Sequence, residues 1–353
     1  MNIIEKMKHD WDQRAQHHAR FWIATENYQT EESFAQSGLD TAHALLKALT
    51  GFHKESWKIL DIGCGIGRTL RPLAEHFQAL VGIDVSSAMI AQSKSWLTGY
   101  HNITTFETSG VDLRKFNDQS FNLVYSYVAF QHMPRPVFEQ YLGEINRVLT
   151  PEGYLAMQLP IGQYCDVPIE DTIGIRSYPF QEIEQTLRHN GLAFFHKPTV
   201  QLTFPPINQS FDHRFHIIKK ITTVKPNIKV KWVQLEHPQQ PSLLDMALYE
   251  TYADNCVKLG KCQEGVQTLQ FLVRRNPGLL SGWLRLAALL LETGQVQHAV
   301  TTLQELTTLH PRYQEGQKAL QQLLTKCKRE GPTTYQPLEC DEVEDTLPLS
   351  HLR

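Results

Sequence analysis

The chain has 353 residues, a formal net charge of −3 at pH 7 and a hydrophobic fraction of 41%. Its length exceeds that of one typical domain and predicts two, and its hydrophobic content excludes a chain that is disordered throughout. A charge so close to neutral gives no general reason to expect nucleic acid or an anionic membrane as a partner.

Three features of the sequence predict where the protein resides: its first residues, its lack of long apolar runs and its cysteine spacing. Residues 1–10 alternate charged and apolar side chains and lack the apolar stretch of a secretory leader. No run of about 18 uncharged apolar residues is present, which predicts no membrane span. The six cysteines form no C-x-x-C pair and no short cluster with histidine, which favours reduced thiols over disulfides or a metal site. We therefore expect a cytoplasmic protein without a bound metal.

The composition changes several times along the chain, and these changes predict five segments. They are an N-terminal helical and aromatic lid over 1–50, an α/β domain over 51–222, a linker over 223–245, helical repeats with a capping helix over 246–326, and an acidic, disordered tail over 327–353.

The first segment is rich in aromatic residues, with Trp11, Phe21, Trp22 and Tyr28 preceding a periodic helical stretch at 39–49. An aromatic segment ahead of an α/β domain predicts a lid that closes over a ligand and excludes water. The alternative is simple packing against the edge of a sheet.

Short apolar runs alternate with helical patterns in the second segment, which predicts a doubly wound, Rossmann-like α/β sheet of seven strands. Strands are predicted for 58–62, 79–83, 103–107, 122–125, 153–159, 192–200 and 213–221, and helices for 68–77, 88–96, 135–149 and 179–190.

A glycine-rich turn follows the first strand, in the stretch K-I-L-D-I-G-C-G-I-G-R over residues 58–68. Glycines at 63, 65 and 67 allow a tight turn and let bare backbone amides approach a ligand. A dinucleotide site would place a sixth-position glycine where Arg68 stands, and Asp61 would repel a pyrophosphate. A carboxylate at Asp61 instead suits the ammonium group of S-adenosylmethionine, which we predict as the cofactor.

Asp84 is predicted as the second anchor of that cofactor. It ends the second strand, 21 residues after Gly63, where an acidic side chain can accept both ribose hydroxyls. The alternative is a turn aspartate that caps the helix beginning near Ala88.

The motifs at 59–67, 81–86, 121–126 and 144–153 together resemble a class I methyltransferase domain of the methyltransferase type 11 kind. The segments 11–15 and 131–134 are similar to a bacterial subgroup with an N-terminal aromatic lid. The resemblance covers roughly residues 10–220 and implies the fold and the methyl donor, but little about the acceptor. It implies cofactor contacts from Asp61, Gly63, Cys64, Gly65, Gly67, Asp84, Val85, Met89, Gly110, Val111 and Ser126, with Met89 near the adenine and Ser126 beside the methionine moiety.

One position departs from this family pattern. Many relatives present an aspartate to the adenine amino group after the third strand, and Ser109 stands at that position here. Backbone groups of Gly110 and Val111 could hold the ring, Asp112 could serve, or the adenine could be held more weakly.

His132 is the candidate catalytic base, because it follows the fourth strand at the edge where α/β sheets bind ligands and an ordinary histidine pKa suits proton removal. The alternative is that His132 caps or orients the helix after Pro134. Tyr125, Tyr127 and Gln158 are expected to line the same cleft. Ser126-Tyr127-Val128 does not match the Asn/Asp-Pro-Pro-aromatic motif of amino-methylases, which argues against a nucleic-acid acceptor.

The segment 246–326 carries an internal repeat. Asn276-Pro277 and His310-Pro311 lie 34 residues apart, the length of a tetratricopeptide repeat. The alternative is an ordinary bundle of helical hairpins. Two repeats are fewer than the three usually needed for independent stability, which predicts packing on the catalytic domain, self-association or a protein partner.

Three functions remain open from the sequence. The first is a methyltransferase acting on a small molecule, a glycan or a lipid precursor. The second is a protein methyltransferase whose repeats hold the substrate. The third is a non-catalytic scaffold that retains the cofactor fold and acts through its repeats.

Overall fold

The computed structural model describes residues 1–25, 30–162, 164, 166–196, 214–224 and 243–330. The chain divides into two compact units, Met1–Pro238 and Gln239–Arg353. Tyr28 of the predicted lid, most of the predicted linker and most of the predicted tail lie outside the described residues.

The first unit is built on a sheet that has seven strands in the described residues. Its order is β3-β2-β1-β4-β5-β7-β6. The first five strands pair in parallel, whereas β7 runs antiparallel to both β5 and β6. This arrangement confirms the predicted seven-stranded Rossmann-like sheet. The strands are β1 (Lys58–Ile62), β2 (Ala79–Asp84), β3 (Ile103–Glu107), β4 (Phe121–Ser126), β5 (Leu149–Met157), β6 (Leu192–Phe194) and β7 (His216–Lys220).

The helices of this unit differ from the predicted ones chiefly after the glycine turn. The helix predicted for 68–77 is reduced to four residues, because Gly67 has a φ of +87° and the turn continues to Thr69. The helices are α1 (Ile3–Gln16), α2 (Ala19–Ile23), α3 (Glu31–Ala48), α4 (Leu70–Leu73), α5 (Ser87–Trp96), α6 (Arg135–Val148) and α7 (Phe180–His189).

Both faces of the sheet are covered, so the core lies in two layers. Successive side chains of a strand point to opposite faces. Leu60 and Val124 accordingly join one apolar cluster with the buried face of α6, while Ile59 and Leu123 join another with α3 and α4. The order reverses between β1 and β4, and ligands of such sheets bind beyond the carboxyl ends of the strands at that reversal.

The second unit is helical in its described residues, and each helix contacts the next one in the chain. Its apolar core includes Tyr252, Leu269, Leu286 and Leu303. The last helix extends to Glu330, beyond the predicted start of the tail at residue 327. The helices are α8 (Leu243–Lys258), α9 (Cys262–Arg275), α10 (Leu280–Glu292), α11 (Val296–Leu309) and α12 (Gln314–Glu330). Each helix in the described ranges is too short or too polar to cross a lipid bilayer.

Candidate active site

The turn after β1 requires glycines for two reasons: their backbone has positive φ angles, and neighbouring atoms leave no space for a side chain. Gly63, Gly65 and Gly67 have φ values of +78°, +53° and +87°, which other L-residues rarely adopt. A Cβ on Gly63 would lie 2.4 Å from the Cβ of Ala129, and one on Gly65 would lie 2.7 Å from Cδ1 of Ile23. Any side chain at either position would therefore displace its neighbour.

The sequence predicts bare backbone amides in this turn, but the amides of residues 63–65 form hydrogen bonds within the protein. Those of Gly63 and Cys64 both donate to the carbonyl of Ile83, at 2.8 and 3.0 Å, and that of Gly65 donates to Asp84 Oδ2 at 2.9 Å. The prediction of bare amides was wrong because the end of β2 lies beside the turn and supplies the acceptors, Ile83 and Asp84. The glycines fix the turn against β2 and leave room above it.

Asp84 lines a pocket at this edge of the sheet. Its Oδ1 accepts the amide of Ser86 and its Oδ2 the amide of Gly65. Since each carboxylate oxygen has two acceptor positions, one remains on each oxygen, and two hydroxyl groups can be received together. Burial raises the pKa of Asp84 to about 6, although these amides oppose the shift.

The alternative interpretation of Asp84, as the cap of α5, is wrong. The Oγ of Ser86 accepts the amide of Met89, and Asp12 Oδ1 accepts the amide of Ala88 at 3.1 Å. The first turn of α5 is thus capped by a serine and by a residue of the lid.

Asp61 and Cys64 lie behind the pocket wall. Asp61 is 4% exposed and accepts a hydrogen bond from the Tyr125 hydroxyl at 2.9 Å. Burial raises the pKa of Asp61 to about 7, and the nearby charge of Asp84 adds to the rise. The Cys64 thiol is buried, which raises its pKa. Neither residue is among those that line the pocket.

The turn after β3 places Thr108, not Ser109, at the pocket. Ser109 is exposed, and its hydroxyl accepts the amides of Val111 and Asp112. Thr108 lines the pocket, and its buried Oγ1 lies close to the Tyr141 hydroxyl without forming a well-aligned hydrogen bond. Gly110, with a φ of +79°, approaches Val85 so closely that a Cβ would lie 2.6 Å from its Cγ2.

The N-terminal helices cover the pocket with Met7, Trp11, Trp22 and Ile23. Asp12 fastens this cover to α5, because its Oδ1 also accepts the hydroxyl of Ser86 at 2.6 Å. A second hydrogen bond joins the cover to α5: Nε2 of Gln92 donates to the carbonyl of Ala15 at 2.9 Å.

His132 lies on the other side of the pocket, in a 3-10 turn after β4, and its ring is 6.2 Å from that of Trp11. The near-neutral pKa that was expected is wrong: burial lowers the pKa of His132 to about 4, and the charges of Arg14 and Arg176 lower it further. The alternative that His132 caps the helix after Pro134 is also wrong, since α6 begins there without a side-chain cap. That His132 orients this helix stays a prediction.

Residues 160–180, which we call the wall, are joined to this turn by hydrogen bonds in their described part. Arg176 is buried and donates to the backbone oxygens of His132, Pro168 and Asp171 at 2.9 to 3.0 Å. Arg14 of the lid donates to the hydroxyl of Thr172 at 3.1 Å. Lid and wall therefore meet beside His132.

The structure brings together only part of the predicted set. The pocket is lined by Gly63, Gly65, Asp84, Val85, Met89, Gly110 and His132 among the predicted residues, and not by Asp61, Cys64, Gly67, Val111 or Ser126. Ser126 is buried and donates to the carbonyl of Ile62 at 2.9 Å, which ties β4 to β1. Tyr127 lines the pocket as expected, whereas Tyr125 and Gln158 do not. Sequence reasoning did not find Met7, Ile23, Ile62, Ile83, Thr108, Val128, Ala129, Met133 or Tyr141, all of which line it.

Residues 59–153 match a protein family described as a methyltransferase domain. Three curated proteins are similar to the chain. A trans-aconitate 2-methyltransferase of Variovorax paradoxus is 33% identical over 108 residues, 30% of this chain and 39% of its own length. A sterol 24-C-methyltransferase of Neurospora crassa is 33% identical over 129 residues, 36% of this chain and 33% of its own. A malonyl-[acyl-carrier protein] O-methyltransferase of Salmonella typhimurium is 26% identical over 193 residues, 53% of this chain and 72% of its own. The chain thus spans about two fifths or less of the length of the first two relatives.

Proposed function

We propose that the chain, whose residues 59–153 match a methyltransferase domain, uses S-adenosylmethionine to transfer a methyl group to a small acceptor, which is a small molecule, a glycan or a lipid precursor. One observation carries the proposal. The glycine turn, Asp84 and the N-terminal cover enclose a single pocket whose anchor carboxylate retains two acceptor positions.

The residues of this pocket fit the cofactor. Asp84 has room for both ribose hydroxyls. Thr108 and Gly110, at the end of the neighbouring strand β3, would hold the base between Val85 and Met89. Asp61 would favour the ammonium group from behind the turn, through its charge and not through direct contact. When bound, the cofactor supplies a methyl group already activated by its sulfonium.

The protein then has to align the acceptor and exclude water. Proximity and alignment alone can supply up to about 7–11 kcal/mol of the barrier reduction. The cover formed by Met7, Trp11 and Trp22 lines the pocket with apolar side chains, which would limit the access of water to the activated methyl group. His132 and Met133 lie where the acceptor would approach.

A small acceptor is favoured over a protein because the cover is fastened on two sides of the pocket. Asp12 joins it to α5, and Arg14 joins it to Thr172 in the wall. A segment of another protein would have to displace these contacts to reach the pocket. The relatives named as methyltransferases of trans-aconitate and of sterols are in keeping with a small acceptor.

For the second unit we propose two tetratricopeptide-like repeats, closed by α12, that bind a protein partner or a second copy. Three observations support this. Helices α9 and α11 begin at residues 262 and 296 and end at 275 and 309, the same 34-residue spacing. Trp283 Nε1 donates to the carbonyl of Pro277 at 2.9 Å. His310 Nε2 lies 2.8 Å from that same carbonyl, so the two Pro-containing turns are linked.

The test combines binding with transfer. Titration calorimetry of the full chain with S-adenosylhomocysteine should show one site. Incubation with methyl-labelled S-adenosylmethionine and a cell extract should label a low-molecular-weight fraction, and the Asp84→Ala variant should not. Failure to bind either form of the cofactor would overturn the proposal, whereas label in a protein fraction would support the protein methyltransferase. Comparison with residues 1–241 alone would show whether the second unit is needed for transfer.

A further inference from the structure

His132 has one ring nitrogen engaged and one available. Its Nε2 lies 3.1 Å from Nε2 of Gln131. Its Nδ1 is buried and makes no well-formed hydrogen bond within the described ranges, although the backbone carbonyls of Ile173 and Gly174 lie close to the ring. The ring faces the pocket beside Trp11 of the cover. A buried polar atom without a partner is costly, and in a binding pocket it marks a place for a ligand atom.

The neighbouring amides determine which nitrogen carries the proton. The Oε1 of Gln131 accepts from Nε2 of Gln158 at 3.3 Å, so the Nε2 group of Gln131 is directed at His132. An amide NH₂ can only donate. The Nε2 atom of His132 must therefore accept, which places the single proton of the neutral ring on Nδ1.

This arrangement does not suit a general base. The basic lone pair of the ring is already occupied by Gln131, and the lowered pKa of His132, about 4, keeps the ring neutral throughout the physiological range. A neutral ring with a proton on Nδ1 is a hydrogen-bond donor. Since the nearby carbonyls of Ile173 and Gly174 form no well-aligned hydrogen bond with Nδ1, an acceptor atom on the substrate would complete its bonding.

The charges around the ring favour an anionic acceptor atom. Arg176 donates to the backbone oxygen of His132 at 3.0 Å. The guanidinium of Arg14 lies 4.7 Å from the centre of the Trp11 ring that contacts His132. Asp166 contacts Arg176 at 3.2 Å, and Asp10 accepts from the Thr172 hydroxyl that receives Arg14. Those acids moderate the two cations, and the backbone carbonyls of Ile173 and Gly174 raise the pKa of His132. Both cations nevertheless lower this pKa, and their charge favours a negative group beside the ring.

We infer that His132 donates from Nδ1 to a carboxylate of the methyl acceptor, and that Gln131 is the positioning residue that sets the required tautomer. The inference rests on the proposed function and specifies its substrate class. One carboxylate oxygen receives the His132 proton donor while the other attacks the methyl carbon. An oxygen–carbon bond forms, the carbon–sulfur bond breaks with its electron pair going to sulfur, and a methyl ester and a neutral thioether result. No proton has to be removed, so no base is required.

The tautomer can be measured directly on the full chain. Long-range proton–nitrogen NMR of histidine-labelled protein, with His132→Phe for assignment, should show a protonated Nδ1, a bare Nε2 and no titration between about pH 5.5 and 8. Gln131→Glu, which can only accept, should move the proton to Nε2. Gln140→Met, a matched loss of another buried glutamine, should leave the tautomer unchanged. A proton on Nε2 in the wild-type protein would overturn the inference.

Acetate, a small carboxylate with no other polar group, is the probe for the ligand. With S-adenosylhomocysteine at saturation, acetate should shift the Nδ1 proton saturably, and neutral acetamide should bind at least about tenfold more weakly. Gln131→Glu should lose the acetate response while its thermal unfolding stays within a few degrees of the wild type. Loss of S-adenosylhomocysteine binding would refute the proposed function itself. Cofactor binding without an acetate response would refute only the carboxylate assignment.

Discussion

Asp84 and Gly65 are joined by a hydrogen bond from the Gly65 amide to Asp84 Oδ2, 2.9 Å long. This bond ties the turn after β1 to the end of β2, so that the proposed sugar anchor and the glycine turn form one rigid unit. The second oxygen of the same carboxylate holds the amide of Ser86. A change at Asp84 should therefore affect ligand binding and the shape of the turn together.

We expect Asp84→Ala to weaken S-adenosylhomocysteine binding by about one to two orders of magnitude, since hydrogen bonds to a charged acceptor contribute roughly 1.5–3 kcal/mol. Titration calorimetry measures this directly. The affinity of Asp84→Asn, which keeps one acceptor oxygen, should lie between the affinities of Asp84→Ala and the wild type. The exposed Asp40 offers a matched control, because Asp40→Ala should leave the affinity unchanged. Equal affinities for all of these proteins would contradict the assignment of Asp84.

Asp61→Asn should make stability less dependent on pH. The folded-state pKa of Asp61, about 7, lies above the ordinary aspartate value of 3.8, so the folded protein binds this proton more tightly than the unfolded chain. The wild type therefore loses stability as pH rises from about 4 to 7. The variant keeps the shape and an acceptor for Tyr125 but has no charge to bury. Relative to the wild type, it should gain about 2 kcal/mol between pH 5.5 and pH 8.

Urea unfolding at those two pH values tests this prediction. The same substitution should weaken cofactor binding at pH 8, because the charge that favours an ammonium group is gone. A variant that gains no stability at high pH would show that Asp61 is ionised at little cost in the folded protein.

The sequence sufficed for the parts of the site that depend on local spacing. Gly63, Gly65 and Asp84 follow two neighbouring parallel strands, and the ends of such strands must meet at one edge of the sheet. Their place at the pocket therefore follows from chain order alone. The burial of Asp61 does not, because it depends on Tyr125, a residue 64 positions away that faces it across β1 and β4.

Other parts of the site depend on contacts that leave no local pattern. Asp12 is one charged residue among several in α1, and nothing in its neighbours indicates that it caps a helix 76 residues later. Val128 has a φ of +63°, a conformation that a β-branched residue avoids unless its surroundings impose it. The family resemblance directed attention to Ser109, whereas the backbone turns Ser109 to solvent and Thr108 to the pocket.

Thr108→Val should reveal which of these two residues serves the cofactor. The substitution removes the one polar atom of the side chain without changing its shape. If Thr108 Oγ1 bonds to the base, the affinity for S-adenosylhomocysteine should fall about three- to tenfold. Ser109→Ala is the matched control and should change the affinity less than about twofold, because the Ser109 hydroxyl is occupied by the amides of Val111 and Asp112. The reverse order of effects would show that Ser109 turns into the pocket when the cofactor binds.

Asp12→Ala should loosen the cover over the pocket. Asp12 receives the Ser86 hydroxyl at 2.6 Å and the Ala88 amide at 3.1 Å, and loss of a cap of this kind costs about 0.5–2 kcal/mol. That cost falls on the closed state, so the cofactor should leave faster while its rate of entry changes little. We expect the dissociation rate of S-adenosylhomocysteine to rise about three- to thirtyfold.

Stopped-flow fluorescence can follow this step, because Trp11 and Trp22 of the cover line the pocket. Lys8→Ala is the appropriate control, since Lys8 pairs with Glu107 through side chains that are 45% and 40% exposed, and exposed pairs contribute little. That variant should keep the wild-type dissociation rate. If Asp12→Ala also keeps it, the cover is held by its apolar contacts and by Arg14, and the Asp12 contact with α5 does not control the residence time of the cofactor.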